Sequence, residues 1–186
     1  MLARMALLKI ARMGHPVLWR TADPVGPADD PALQRLIDDM ISTMRDADGV
    51  GLAAPQVHES LRLIVVLPLA GRDDASRPEP LAILDPVLEP LGEAVEEGLE
   101  GCLSIPELRG IVPRWQRLRW RGRSREGRPI GGVAEGFFAR VLQHEVDHLD
   151  GILYPMRMTD LSLLAFVEHQ RHLVERAAED DHADVA

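Results

Sequence analysis

The segment His144-Glu145-Val146-Asp147-His148 carries the residue types of metal-assisted hydrolysis at helical spacing. Histidines at i and i+4 leave one face of a helix together and grip a single divalent ion. An ion so held makes bound water acidic near neutral pH, and Glu145 stands beside it as general base and acid. The competing reading is a pair of solvated histidines on an amphipathic helix. It is the weaker one, because Phe137, Val141, His144 and His148 fall at offsets 0, 4, 7 and 11 and share one face. Buried imidazoles without a ligand would leave hydrogen-bonding capacity unused. A catalytic site also needs a third protein ligand and an open position. Two residues compete for that place. Glu168 follows His148 by 20 residues but sits beside Phe166 and Val167, where a charge usually marks a solvated face. Cys102, the only cysteine, lies in Glu100-Gly-Cys-Leu-Ser104. A lone thiol is often plain packing, yet a thiolate is a strong ligand for borderline metals, and Cys102 is the preferred third ligand.

These residues need elements to hold them. The pattern predicts a helix over 135–149, stopped by Gly151. Asp30-Pro31 opens an earlier helix by capping and by proline at the first helical position, with Leu33, Leu36, Ile37, Met40, Ile41 and Met44 as its core stripe. Asp48-Gly49 ends it and leads into Gly49-Val-Gly-Leu-Ala-Ala-Pro-Gln56. Strands are expected over 61–67 and 81–84, the second broken or edged by Asp85-Pro86, and more weakly over 112–115 and 118–121. Residues 71–80 read as a polar loop and 125–127 as a turn. A last helix is expected from Thr159 or Asp160, with Leu163, Phe166, Val167, Gln170, Leu173 and Val174 as its apolar side. Helix, strands, then two helices is an α+β order.

The composition sets limits. The chain has 186 residues, 46% hydrophobic and 27% charged, as in a globular protein able to bury a core. A net charge of −9 argues against broad electrostatic capture of nucleic acid or anionic membrane. One cysteine excludes an intramolecular disulfide framework. No apolar run approaches the length of a membrane span. Arg4, Lys9 and Arg12 interrupt the apolar N-terminal stretch, which reads as a mature start rather than a signal peptide, and the expected location is cytoplasmic. Residues 1–178 are expected to form the catalytic domain and 179–186 a frayed acidic tail.

Taken together, Gly49-Val-Gly-Leu-Ala-Ala-Pro-Gln56, Glu100-Gly-Cys-Leu-Ser104 and Gln143-His-Glu-Val-Asp-His-Leu149 resemble, in order, the three signature motifs of peptide deformylases. The likeness spans roughly Leu8 to Met158. It implies a compact single-domain α+β fold, with the metal-binding helix packed against antiparallel sheets and a C-terminal helix. It implies hydrolysis of the N-formyl group from the initiating methionine of new polypeptides, consuming water and releasing formate. Carried onto this chain, it makes Cys102, His144 and His148 the metal ligands and Glu145 the general base and acid. Gln56, through its amide, and Leu103, through its backbone N–H, would stabilise the oxyanion. One divalent ion is implied, ferrous iron first, with nickel, cobalt or zinc as alternatives. Val50 and Gly51 would flank an extended formyl-methionyl peptide. Phe137 and Val141, on the metal face, are candidates for the methionine pocket, with simple core packing an equal alternative. Gln56 has an alternative too, as a cap on the loop after Pro55.

Some positions depart from the family pattern. Gly98 stands where many members place a larger apolar residue lining the methionine pocket, and Asp85 replaces an asparagine. Pro155-Met156 stands in place of the more usual acidic residue, a change bearing on where the last helix starts. Asp180, Asp181 and Asp184 would repel RNA, so transient ribosome proximity through the tail is not expected. The arginines between 114 and 128 read as a solvated strand-and-turn surface. Two rival functions follow from the residues: a protease with Glu168 as third ligand, and a metal-stabilised binding module without catalysis.

Overall fold

The computed structural model describes residues 6–69 and 78–183. Most of the 71–80 loop, Arg4 and Asp184 therefore lie outside the described residues. Helix α1, Pro31–Asp46, begins as its sequence dictates: the Asp30 side chain accepts the Ala32 N–H at 2.8 Å, and Pro31 fills the first helical position. Its buried stripe is Leu33, Ile37, Met40, Thr43 and Met44. Strand β1, Gly51–Ala53, follows, and then β2, Leu63–Val66. Every residue of β2 is buried, because both of its faces are covered. Leu63 and Val65 pack with Ile37, Met40 and Met44 of α1. Ile64 and Val66 pack with Val141, Leu142 and Leu149 of helix α2, Gly136–Leu149.

The remaining strands are β3, Leu81–Pro90; β4, Val95–Cys102; β5, Ile105–Trp115; β6, Arg117–Arg123; β7, Pro129–Glu135; and β8, Leu164–Phe166. They form two antiparallel sheets, ordered β1-β2-β3-β6-β7 and β4-β5-β8. Helix α2 lies between them, as expected of the metal-binding helix. Helix α3, Gln170–Ala183, ends the described chain.

Several elements differ from those expected. Asp85-Pro86 does not end its strand. β3 runs on to Pro90, and the register shifts between Leu84 and Val87, with Asp85 at a φ of 49°. A bulge removes the ladder hydrogen bond that proline cannot make, so the strand survives it. The last helix starts ten residues later than Asp160. Leu164–Phe166 instead pairs with Leu108–Gly110 of β5. Leu163 and Leu173 are buried, whereas Phe166, Val167 and Val174 are exposed, so the apolar side expected of one helix is shared between a strand and a helix. Strands β4 and β7 had no periodic signal: β4 reads Val-Glu-Glu-Gly-Leu-Glu-Gly-Cys, with most of its outward side chains in solvent.

Candidate metal centre

Helix α2 and strand β4 run side by side with nearly matched spacing. Two strand residues advance about 6.6 Å and four helical residues about 6 Å. Positions 98, 100 and 102 of β4 therefore face 140, 144 and 148 of α2 as three rungs. On the last, Cys102 Sγ lies 3.2 Å from His148 Nε2. On the middle one, Glu100 Oε2 lies 2.9 Å from His144 Nδ1. On the first, Arg140 Nη1 donates to the Gly98 carbonyl at 3.3 Å.

The candidate ligand atoms of Cys102, His144 and His148 all lie within 4.8 Å of one another, and all three residues are buried. A sulfur and two imidazole nitrogens suit iron, cobalt, nickel or zinc. Their surroundings fit an ion as well. His144 gives its Nδ1 hydrogen to Glu100, which leaves the Nε2 lone pair available to an ion. Burial pushes the Cys102 thiol up, but His148 and His144 outweigh it and draw the thiol well below its ordinary value, toward the thiolate that binds metal.

A network of buried charge holds this geometry. Arg114 donates through Nε and Nη2 to the two Glu100 oxygens, at 2.8 and 3.0 Å, and through Nη1 to Asp147 at 2.6 Å. Arg140 Nη1 adds a fourth contact to Glu100 at 3.0 Å, and Arg157 pairs with Asp147 at 2.7 Å. Burial opposes the charge on Glu100, but the hydrogen bonds from His144 and Arg114 hold its carboxyl well below the usual carboxylate range. Gln143 fastens the middle of the helix to the end of β5, accepting the Trp115 N–H and donating to the Trp115 carbonyl, each at 3.0 Å.

The centre opens onto a cavity of about 860 Å³. Val50, Gly51, Gln56, Leu103, Phe137, Val141 and Glu145 all line it, so every residue expected at the site is brought there with the metal set. Glu145 is buried, and its Oε2 has no hydrogen-bond partner among the described residues. Burial pushes its carboxyl up to about 7 against the pull of His144 and His148, a value suited to taking and returning a proton near neutrality. Gly51 makes room for it: a Cβ there would collide with the Glu145 carboxylate. Gln56 is anchored in its own loop, before Pro55 rather than after it. Its Oε1 accepts the Ala53 N–H at 2.9 Å, which fixes the loop and turns Nε2 inward as a donor, 3.2 Å from Ser104 Oγ and 3.5 Å from Cys102 Sγ. Leu103 sits in the tight turn between β4 and β5.

Glu168 takes no part. It is exposed in a short turn, 3.5 Å from His169, and is absent from the metal-ligand cluster. The arginine stretch needs one correction. Arg117, Arg119, Arg123, Arg125 and Arg128 form ion pairs at or near the surface, but Arg114 is buried at the centre. Sequence reasoning missed Glu100, Arg114, Arg140 and Asp147 as working parts. The available signal was position: Glu100 stands two before Cys102, and Arg140 stands four before His144.

A family described as polypeptide deformylase matches residues 7–163. Among curated proteins, peptide deformylase 2 of Ralstonia nicotianae is 48% identical over 162 residues, covering 86% of this chain and 91% of that protein. Peptide deformylase 1 of Bordetella pertussis is also 48% identical, over 86% of this chain and 92% of its own. Among solved structures, a Met-Ala-Ser-bound class I type b peptide deformylase from Acinetobacter baumannii superposes with a TM-score of 0.76 at 35% identity, over 83% of this chain and 99% of that one. The peptide deformylase of Thermotoga maritima gives 0.75 at 37% identity, over 83% and 99%.

Proposed function

The chain belongs to the polypeptide deformylase family, and from that premise we propose how its own residues divide the work. The activity is that of the family: a metal-dependent hydrolase removes the N-formyl group from the N-terminal methionine of new polypeptides and releases formate. Cys102, His144 and His148 would hold the ion, and ferrous iron is our assignment for it, in keeping with a donor set of one thiolate and two imidazoles. When bound there, such an ion supplies Lewis acidity, acidifying water and polarising a carbonyl.

The remaining steps fall to the protein. Glu145 takes a proton from the attacking water and returns it to the departing α-amine, so the C–N bond breaks with formate and a free N-terminus as products. Gln56 Nε2 and the Leu103 N–H donate to the formyl oxygen as it gains negative charge. Val50 and Gly51 flank the peptide. β1 is an edge strand of its sheet, which supports extended-peptide pairing there. Phe137 and Val141 hold the methionine side chain. We assign residues 1–178 to the catalytic unit and 179–186 to an acidic tail. Among the described residues no helix is long and apolar enough to cross a membrane. We place the enzyme in the cytoplasm, meeting nascent chains without docking on ribosomal RNA through the tail, since Asp180, Asp181 and Asp184 oppose it.

One observation carries this reading: the Cys102–His144–His148 cluster opens onto the same cavity as a buried Glu145 carboxylate whose Oε2 has no partner among the described residues. The test uses iron-loaded protein prepared without oxygen and a formyl-methionyl peptide, with formate and metal measured on one sample. We expect one ion per chain and formate release, with Glu145→Ala keeping the ion and losing about 10²–10⁴ in rate. No formate from iron-loaded protein, together with Glu145→Ala indistinguishable from it, would overturn the reading.

A further inference from the structure

The rung at Gly98 and Arg140 has no place in the steps above, yet it borders the same cavity. Strand side chains alternate in direction, so position 98 faces the centre with 100 and 102. Arg140 stands one helical turn before His144, on the same face. A Cβ at Gly98 would come within 2.7 Å of the Arg140 guanidinium. The absent side chain is thus the seat of the arginine, and any larger residue would displace it.

The guanidinium is fixed in that seat. Nη1 donates to the carbonyls of Gly98 and Val112, at 3.3 and 2.7 Å, and to Glu100 at 3.0 Å. Nη2 donates to the Glu96 carbonyl at 2.7 Å. A guanidinium carries five N–H groups. These acceptors engage the two on Nη1 and one on Nη2, and leave the Nε hydrogen and the second on Nη2 outside the set. Arg140 lines the cavity beside Phe137 and Val141, and about a tenth of its side chain is exposed. A wall expected to be hydrocarbon is therefore a rigid, cationic donor.

We propose that Arg140, seated over Gly98, is a specificity-determining residue: it gives the side-chain pocket a hydrogen-bonding wall, so that a first residue ending in an acceptor oxygen is taken about as readily as methionine. Methionine sulfoxide is the probe, because it adds one oxygen to nearly the same shape. A pocket of hydrocarbon alone would bury that oxygen unpaired and reject it. The inference rests on the pocket assignment made under the proposed function.

The experiment compares two tripeptides that differ only in formyl-methionine or formyl-methionine sulfoxide. It reads the ratio of their kcat/KM values, so losses common to both substrates cancel. In parallel, calorimetry gives the ratio of Kd values for the deformylated pair. The unaltered enzyme should show ratios within about threefold. Arg140→Met should shift both against the sulfoxide by about tenfold or more, the scale of one buried acceptor left unpaired. Gly98→Ala should move them the same way by pushing the guanidinium aside, which keeps the test open if Arg140→Met does not fold. Rejection of the sulfoxide by tenfold or more in the unaltered enzyme, or unmoved ratios in both variants, would overturn the proposal. Absence of formate from either peptide would count against the assigned reaction, while the Kd ratios would still decide the role of Arg140.

Discussion

Arg114 and Arg117 lie three residues apart, and each pairs with a carboxylate at nearly the same distance, 2.8 Å to Glu100 and 2.7 Å to Glu135. Only burial separates them. The side chains of the first pair are 5% and 4% exposed, those of the second 56% and 65%. Water screens the outer pair, so it holds little energy and no geometry. The inner pair gave up its hydration and regained it only through a complete set of partners, which include His144. The two regions carry the same residue types. The centre needs its charges as rigid struts, while the face of β6 carries them in solvent.

Removing each strut should break the comparison in order of burial. Arg114→Met leaves Glu100 and Asp147 short of their main cation, and should cost about 3–5 kcal/mol. In thermal unfolding that is a fall in Tm of roughly 6–20 °C for a chain of this length; a shift below about 2 °C would show that the network is not needed. Glu100→Gln should keep the fold but weaken metal binding by about 10–100-fold, because the neutral amide is a weaker acceptor for His144 Nδ1 and no longer raises the basicity of the ring. Competition with a chelator measures this, and an unchanged affinity would contradict it.

The acid limb of stability gives a finer test. Glu100 is held well below its ordinary value of 4.5 in the folded chain. Its contribution is therefore fully present above about pH 4.5 and is lost as the pH falls toward the folded value. Denaturant midpoints of metal-free protein should drop more steeply below pH 4.5 than those of Glu100→Gln, and parallel curves would refute the assignment. The smallest effect belongs to the outer pair: Arg117→Ala should change stability by about 1 kcal/mol or less, and added salt should shrink the difference further.

The same contrast explains what was legible in the sequence. Helix α1 announced itself through Asp30, Pro31 and a stripe of the right period, and α2 through its histidines and Gly151. Both signals are local, so both could be read locally. Cys102 could be singled out as the candidate third ligand because the chain has one cysteine and a signature around it. Strand β4 was illegible because its outer face mixes Val95, Glu97 and Leu99 while its inner face carries Glu96, Gly98 and Glu100, which is no alternation of apolar and polar residues. Arg114 was hidden among six other arginines, since nothing in residue type reports burial. Leu164–Phe166 reads as helix by period but finds an open edge of β5, a contact no local pattern encodes. Glu100, Arg140 and Gly98 become meaningful only once strand and helix lie rung to rung.

The central claim is that one sulfur and two imidazoles hold a single ion with a position left for substrate. X-ray absorption on zinc-loaded protein tests it most directly, since zinc gives well-defined ligand distances. The account predicts one sulfur at about 2.3 Å and two imidazole nitrogens near 2.0–2.1 Å, with the sulfur gone in Cys102→Ala and a further oxygen or nitrogen that exchanges when a peptide is added. A coordination sphere without sulfur in the unaltered protein, or one filled by a fourth protein ligand, would contradict it.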